Sequence, residues 1–424
     1  MKINSVSEVV DLARQRFDRL ATAHQGDDAF PVRLPPGAGL RDLLEEAFWA
    51  SISRDEGRLC RFTVAYYGCE DSEAAADVAI ALHPKLFERG VLRRLAAVAA
   101  AADADIAVSI VRGDLRIIGL CKRFHLYLES PSVSTTPTMP IEIEVLGPAH
   151  IVIRYGIFPI LTYANGEIPE PGPNVLDVAG PFRGALDYLA TTGQLSSNNL
   201  RFYLKDLLHQ VDRHAHGGLL ILSATTPSGL ESVSWLITND VYSLSDVQRL
   251  RSEDLNRLGL AKNDPNKISF SHARETGRRL RALTGDILKL SASLALTDGG
   301  VWLDGSLRPR AFGVFARLDP RRRISIARDA AGTDLHEMTF DTLGARHRAL
   351  VALAGTNPSC PAIAVSADGG FMAALQVEDR EDVLVWHFQS CDLSADDPFD
   401  PQYQAIWRDM LRSDRHDAPT GSSP

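Results

Sequence analysis

The sequence predicts a mixed α/β protein in which a C-terminal domain, a mixed β-sheet flanked by helices, follows a larger mixed α/β N-terminal region. Three observations lead there. Segments with helical apolar spacing alternate with short apolar runs of strand length along the chain. A polar, turn-rich stretch, Gly259 to Ser269, interrupts that alternation. The 424 residues exceed what one ordinary core accommodates. The expected division is residues 1–265, then 270–395, then a C-terminal helix and disordered tail over 396–424.

Ser5 and Glu8 form a capping-box pattern, and Val6, Val9, Ala13, Phe17 and Leu20 recur at helical spacing, so the chain opens on a helix. Its acidic residues and lack of a continuous apolar core argue against a signal peptide. "RLCRFTVAYYG" and "ADIAVSIVRGDLRIIGLC" read as strands. The most hydrophobic run, Leu95–Val111, is rich in alanine and contains Asp103 and Asp105; it reads as a helix passing into a strand, not a membrane span. Proline, serine and threonine make Glu129–Pro140 a loop. Two alternating runs follow, "IEIEV" and "HIVIRYGIFPILTYANGEI", then a second loop at Pro169–Asn174. "GGLLILSAT" and "VSWLITNDVYSL" read as further strands of the N-terminal region.

Beyond the boundary, Leu280, Leu283, Ile287, Leu290 and Leu294 form one stripe of an amphipathic helix. It runs into "TDGGVWLDGSLRPRAFGVFA", where Asp304 and Gly305 between two apolar runs predict a hairpin. "DTLGARHRALVAL", Asp341–Leu353, is a glycine leading into a helix. "CPAIAVSADGGFMAALQV" reads as strand, turn, strand, and "EDVLVWHF" as one more strand. Helices alternating with short buried strands imply a layered domain of about 130 residues.

A net charge of −9 and a pI near 5.8 argue against charge-driven nucleic-acid binding, which needs a basic face. The five cysteines, at 60, 69, 121, 360 and 391, contain no CxxC pair and fit thiols in a reducing cytoplasm. His209, His214 and His216 sit before two glycines, but no carboxylate or cysteine pattern completes a ligand set, so they read as structural or small-ligand histidines. Arg321, Arg322 and Arg323 read as a surface charge run.

Three short motifs carry the chemistry: "TDGG" at Thr297–Gly300, "GARHR" at Gly344–Arg348 and "VSADGG" at Val365–Gly370. Each stands at the edge of a helix or strand beside glycines, where a backbone approaches a ligand closely. Glycine before a helix frees first-turn N–H groups, and two guanidiniums beside them suit a polyanion.

In this order the motifs resemble the diadenylate cyclase family, whose members carry a helix leading into a DGA motif, a GTRHR-type motif opening a helix, and a strand ending in serine followed by acidic residues. The resemblance runs from Leu280 to about Phe388. It implies a nucleotidyltransferase that joins two ATP molecules into cyclic di-AMP with loss of two pyrophosphates. Each of two facing domains holds one ATP, so a homodimer or higher homo-oligomer is expected, with the N-terminal region as a sensor. By the same resemblance Asp298 is the catalytic aspartate and, with Asp368, a ligand for Mg²⁺ or Mn²⁺. Gly299, Gly300, Gly344, Ala345, Arg346, His347, Arg348 and Ser366 contact nucleotide or phosphate.

The sequence departs from the family at three places. DGA is DGG, the threonine of GTRHR is Ala345, and Ala367 replaces a position that is often acidic. The alternatives are therefore a catalytically impaired nucleotide sensor of the same fold, or a cyclase with different nucleotide selectivity.

Overall fold

The computed structural model describes residues 5–23, 34–35, 38–55, 58–66, 68, 78–102, 104–122, 140–155, 158–164, 166–168, 172–213, 217–237, 243–250, 253, 270–317, 323–366 and 370–389. The chain is mixed α/β and divides into two compact units, one extending to Glu170 and the other running from Pro171 to Ala395.

The first unit opens on α1 (Val6–Ala23) and α2 (Gly39–Ser51). The capping box is present: Ser5 N donates to Glu8 Oε2 at 2.9 Å and Glu8 N to Ser5 Oγ at 3.3 Å. After a small hairpin of β1 (Arg54–Asp55) and β2 (Arg58–Leu59) come β3 (Phe62–Tyr66), β4 (Val78–Leu86), α3 (Arg89–Ala101), β5 (Ala104–Val111), β6 (Asp114–Lys122), β7 (Ile141–Gly147), β8 (His150–Tyr155) and β9 (Phe158–Ala164). The alanine-rich run is thus α3 passing into β5, as its composition predicts. The strands form one seven-stranded sheet in the order β4-β6-β5-β3-β7-β8-β9, with β3 and β5 parallel. Phe17, Leu40, Leu44 and Leu92 from the helices are buried with Val64, Ile106, Ile143 and Ile153 from the strands in one core. The 150–164 run, one segment in the sequence reading, is two antiparallel strands with Tyr155 opposite Phe158. Its apolar alternation continues through the reversal, which periodicity therefore cannot register.

The second unit contains α4 (Pro181–Thr192), α5 (Ser197–Arg213), β10 (Gly218–Leu222), β11 (Leu230–Leu236), α6 (Phe270–Ala295), β12 (Gly300–Leu303), β13 (Pro309–Ala316), β14 (Ile324–Ala327), β15 (Leu335–Met338), α7 (Ala345–Thr356), β16 (Ala362–Val365), β17 (Gly370–Gln376) and β18 (Val383–Gln389). Its nine strands run in the order β11-β13-β12-β10-β16-β17-β18-β14-β15, with β10/β12 and β14/β18 parallel. Leu204, Leu208, Ile287 and Leu288 pack with Leu220, Val301 and Trp386 on one face. Leu350, Leu353, Leu219 and Met372 form the core on the other, where α7 lies.

This sheet corrects the boundary expected near residue 265. β10 is a central strand between β12 and β16, and its buried run Leu219–Leu222 is apolar toward both faces, as a strand covered on both sides must be. The motif-bearing sheet therefore draws on chain from Pro171 onward; the expected boundary stretch 259–269 itself lies outside the described residues. On α6, Leu283, Ile287 and Leu294 face the core as expected, but Leu290 is 43% exposed, and Leu288 and Ala292 take its place on the buried side. The Asp-Gly hairpin forms: Asp304 Oδ1 accepts from Ser306 N and Arg308 N, tying the turn between β12 and β13. Among the described residues no helix is long and apolar enough to cross a membrane. The loop at 129–140, His214, His216, Arg321, Arg322, Cys69, Cys391 and the segment 396–424 lie outside the described residues; only Pro140 of that loop is described.

Candidate functional site

The site begins at the N-terminus of α7. Gly344 stands at the N-cap in an extended conformation, φ −65° and ψ 165°, with no side-chain cap, and the first turn carries no acidic residue. The leading N–H groups of such a helix have no intrahelical acceptor. Arg346, His347 and Arg348 occupy this turn, partly exposed, while Leu350, Val351 and Leu353 bury the helix behind them. Three basic residues at the positive end of a helix oppose its dipole, so the turn is an electropositive surface held in place by its apolar half. The Nε atom of Arg348 is shielded from solvent and has no hydrogen-bond partner.

His347 is fixed by the strand beneath it. Its Nε2 lies 3.0 Å from Ser366 Oγ. Ser366 follows β16, and its N–H donates to Gly370 O at 2.8 Å, which closes the turn into β17. The serine at the strand end and the histidine in the helix thus form one contact across two motifs. Ala345, at the first helical position, carries no hydroxyl toward this space. Ala367 and Asp368 lie outside the described residues.

Asp298 is exposed in the link from α6 to β12. The helix unwinds through Thr297, whose Oγ1 donates to Leu294 O at 2.7 Å. Gly299 follows with φ +94°, and a Cβ there would lie 2.8 Å from Val314 O and 2.9 Å from Gly313 C. Only glycine fits this conformation and this approach to β13. At Gly300 a Cβ would meet Leu219 Cγ at 3.0 Å and Leu219 O at 3.1 Å. The second glycine of DGG therefore has a local cause: the β10 leucine occupies the room that an alanine methyl would need.

Strand register brings the motifs to one end of the sheet. β12 starts at Gly300 and runs parallel to β10 with Leu220 opposite Val301, while Gly218 of β10 is opposite Val365 of β16. Asp298 and Ser366 therefore leave the same sheet end, two strand spacings or about 10 Å apart in the pairing direction. Among the described residues no group of three or more histidine, cysteine, aspartate or glutamate side chains converges as a metal cage. A lone carboxylate at Asp298 nevertheless fits Mg²⁺, which commonly takes one or two protein carboxylates and completes its shell with phosphates and water.

Sequence reading passed over His387. It lies on β18 opposite Met372, on the sheet face that carries α7. Surrounding protein, and then the neighbouring His347, hold its pKa below the ordinary histidine value. His209 lies half-buried in α5, outside this cluster of motifs.

Residues 30–122 match a family model described as the probable sensor domain DACNV. The match runs through α2 and α3 and ends with the last residue of β6. No curated protein and no solved structure matches the chain. The first unit is thus similar, over those residues, to a probable sensor domain.

Proposed function

We propose that the second unit is a diadenylate cyclase governed by the sensor-like first unit. The observation that carries this reading is the uncapped, acid-free first turn of α7, whose Arg346 and Arg348 flank a histidine bonded to Ser366 at the sheet end that also bears Asp298. Such a turn suits the triphosphate of ATP, with guanidinium and N–H donors meeting its oxygens. Phosphoryl transfer needs charge neutralisation and in-line placement more than covalent assistance.

In the proposed reaction the 3′-hydroxyl oxygen of each ATP forms a bond to the α-phosphorus of the other. The bond from that phosphorus to the bridging oxygen breaks, pyrophosphate departs, and the hydroxyl proton passes to solvent. Arg346 and Arg348 hold the charge that accumulates on the departing group. His347, oriented by Ser366, contributes a ring nitrogen at the same place. Gly299 and Gly300, packed against β13 and Leu219, fix the backbone from which Asp298 projects toward the nucleotide. Asp298, with Asp368, would hold Mg²⁺ or Mn²⁺, which when bound favours deprotonation of the attacking hydroxyl. One chain supplies one half-site, so the reaction requires two copies face to face.

The test is incubation of the purified chain with ATP and Mn²⁺, with mass spectrometry for cyclic di-AMP. Asp298→Asn should lower product by at least about a hundredfold without changing the melting temperature, because the side chain is exposed. Absence of any cyclic dinucleotide with Mg²⁺, Mn²⁺ and Co²⁺ would remove the reading. Ala345 favours a second one, a nucleotide sensor without turnover or a cyclase of different selectivity. Calorimetry with each of the four nucleoside triphosphates, alongside product analysis, separates these outcomes.

A further inference from the structure

We propose that His387 is a further phosphate-binding residue of the α7 anion site, and that it takes up a proton when a polyphosphate is bound there. This rests on α7 being the triphosphate site.

The position of the side chain follows from register. His387 pairs with Met372, which lies in the core beneath α7, whereas Trp386 and Phe388 on either side belong to the opposite core. Trp386 is anchored there by its Nε1 bond to Asp329 O and its edge contact with Phe182. Strand alternation therefore commits His387 to the α7 side. The residue is exposed, unlike its buried neighbours, and its side chain makes no hydrogen bond among the described residues. A histidine kept for packing would have its ring nitrogens satisfied; this one is partly desolvated by its surroundings and its side chain has no hydrogen-bond partner among the described residues.

Its charged surroundings are mostly basic. α7 contributes Arg346, His347 and Arg348. The same face of β17 presents Met372 and Ala374, which do not titrate. On the far side, alternation from Ile324 puts Arg328, just beyond β14, toward this face. His336 of β15, opposite Ile326, is also there, 3.5 Å from Asp334. Asp341, in the turn before α7, is the other nearby acid.

Surrounding protein, and after it the neighbouring His347, lower the His387 pKa and disfavour its charged form in the free protein. A polyphosphate reverses the balance, because its negative charge favours the imidazolium of His387. The sign follows. In the free protein the His387 pKa is lowered, and with polyphosphate bound it rises, so one proton is drawn in between those two values. Affinity is then highest in mild acid and falls as pH rises through the bound-state pKa.

The experiment is calorimetric titration of the full chain with inorganic pyrophosphate, in buffers of different ionisation enthalpy, from pH 6 to 9. The difference in heats between buffers counts protons taken up, and His387→Gln isolates this residue from pyrophosphate's own titration. A pKa rise of about one unit corresponds to tenfold in affinity, so the variant should bind about five- to tenfold more weakly near pH 6.5. It should match the wild-type chain at pH 9 and lose most of the extra proton uptake. His387→Lys, with a fixed charge, should retain affinity without the uptake. In the wild-type chain, histidine resonances followed by NMR should show one imidazole pKa moving up on pyrophosphate addition. Equal proton uptake by wild type and His387→Gln, or no histidine shift on binding, would overturn the proposal while leaving the cyclase reading standing. Failure of the wild-type chain to bind pyrophosphate would instead remove the α7 site and this proposal with it.

Discussion

Alanine placed at each glycine of Thr297–Gly300 tests the geometry that carries Asp298. At Gly299 the substitution faces two independent costs. The φ of +94° is a region that alanine occupies at about 1–3 kcal/mol. Its Cβ would also sit 2.8–2.9 Å from β13 backbone atoms, which cannot rotate aside. Adding an overpacking cost of about 1–3 kcal/mol gives a loss of about 2–6 kcal/mol. At Gly300 only the overpacking applies, and the contacts are milder, Leu219 Cγ at 3.0 Å with its Cδ2 and carbonyl oxygen at 3.1 Å, so about 1 kcal/mol is expected. For a unit of this size a kilocalorie moves the melting temperature by about 2–4 °C. Scanning calorimetry of the full chain, which resolves transitions of separate units, should therefore show Gly299→Ala lower by roughly 4–24 °C and Gly300→Ala by only about 2–4 °C. A cycle adds a second check. Leu219→Ala removes the obstructing side-chain atoms and leaves only the Leu219 carbonyl oxygen at 3.1 Å, so its combination with Gly300→Ala should be less destabilising than the two changes summed, by up to about 1 kcal/mol. Equal effects at the two glycines, or strict additivity with Leu219→Ala, would refute this account of the DGG motif.

Two further outcomes follow from other parts of the second unit. Asp246 accepts from Ser243 N at 3.0 Å and Ser243 Oγ at 2.6 Å and pairs with Arg308 at 3.0 Å; led by the Ser243 hydrogen bonds, these contacts lower its pKa to about 2. A depressed carboxyl pKa stabilises the fold above its unfolded value and is lost as pH falls through the folded one. Asp246→Ala should thus cost about 1–2 kcal/mol at neutral pH, and urea titrations from pH 5 to 2 should show the gap closing. Replacing Arg346 or Arg348 with alanine should weaken ATP binding by roughly ten- to a hundredfold, the worth of a charge-assisted bond. Titration at two salt concentrations should show a shallower salt dependence in each variant.

What could be read from the sequence was local. The capping box at Ser5, the Asp304 turn, the glycine before α7 and the strand–turn–strand around Ser366 depend on residues within a few positions of each other. Their chemistry is visible in a short window. The sheet itself is not local: β10 is parallel to β12 and antiparallel to β16, partners lying far along the chain, and nothing in "GGLLIL" names them. That is why the sequence alone groups the strand with the N-terminal half. The same limit hid His387, an odd-numbered position on a strand whose face is set by Met372 and α7. It also hid the reason for Gly300, which resides in Leu219. Motif residues announced themselves, while the neighbours that shape them became apparent only once register was known.

The central position of β10 also bears on how the chain is made. Its apolar residues leave the ribosome before either flanking strand, and its β16 partner follows roughly 140 residues later, a delay of about 7–30 s at ordinary elongation rates. α4 and α5 are already synthesised by then, and their leucines share a core with Leu220 and Leu222, so one face of the strand has shelter early. Leu219 and Ile221 must wait for α7, synthesised more than a hundred residues later. During that interval the nascent chain carries a bare strand with both edges open, the species on which chaperone binding or misassociation of this protein would act.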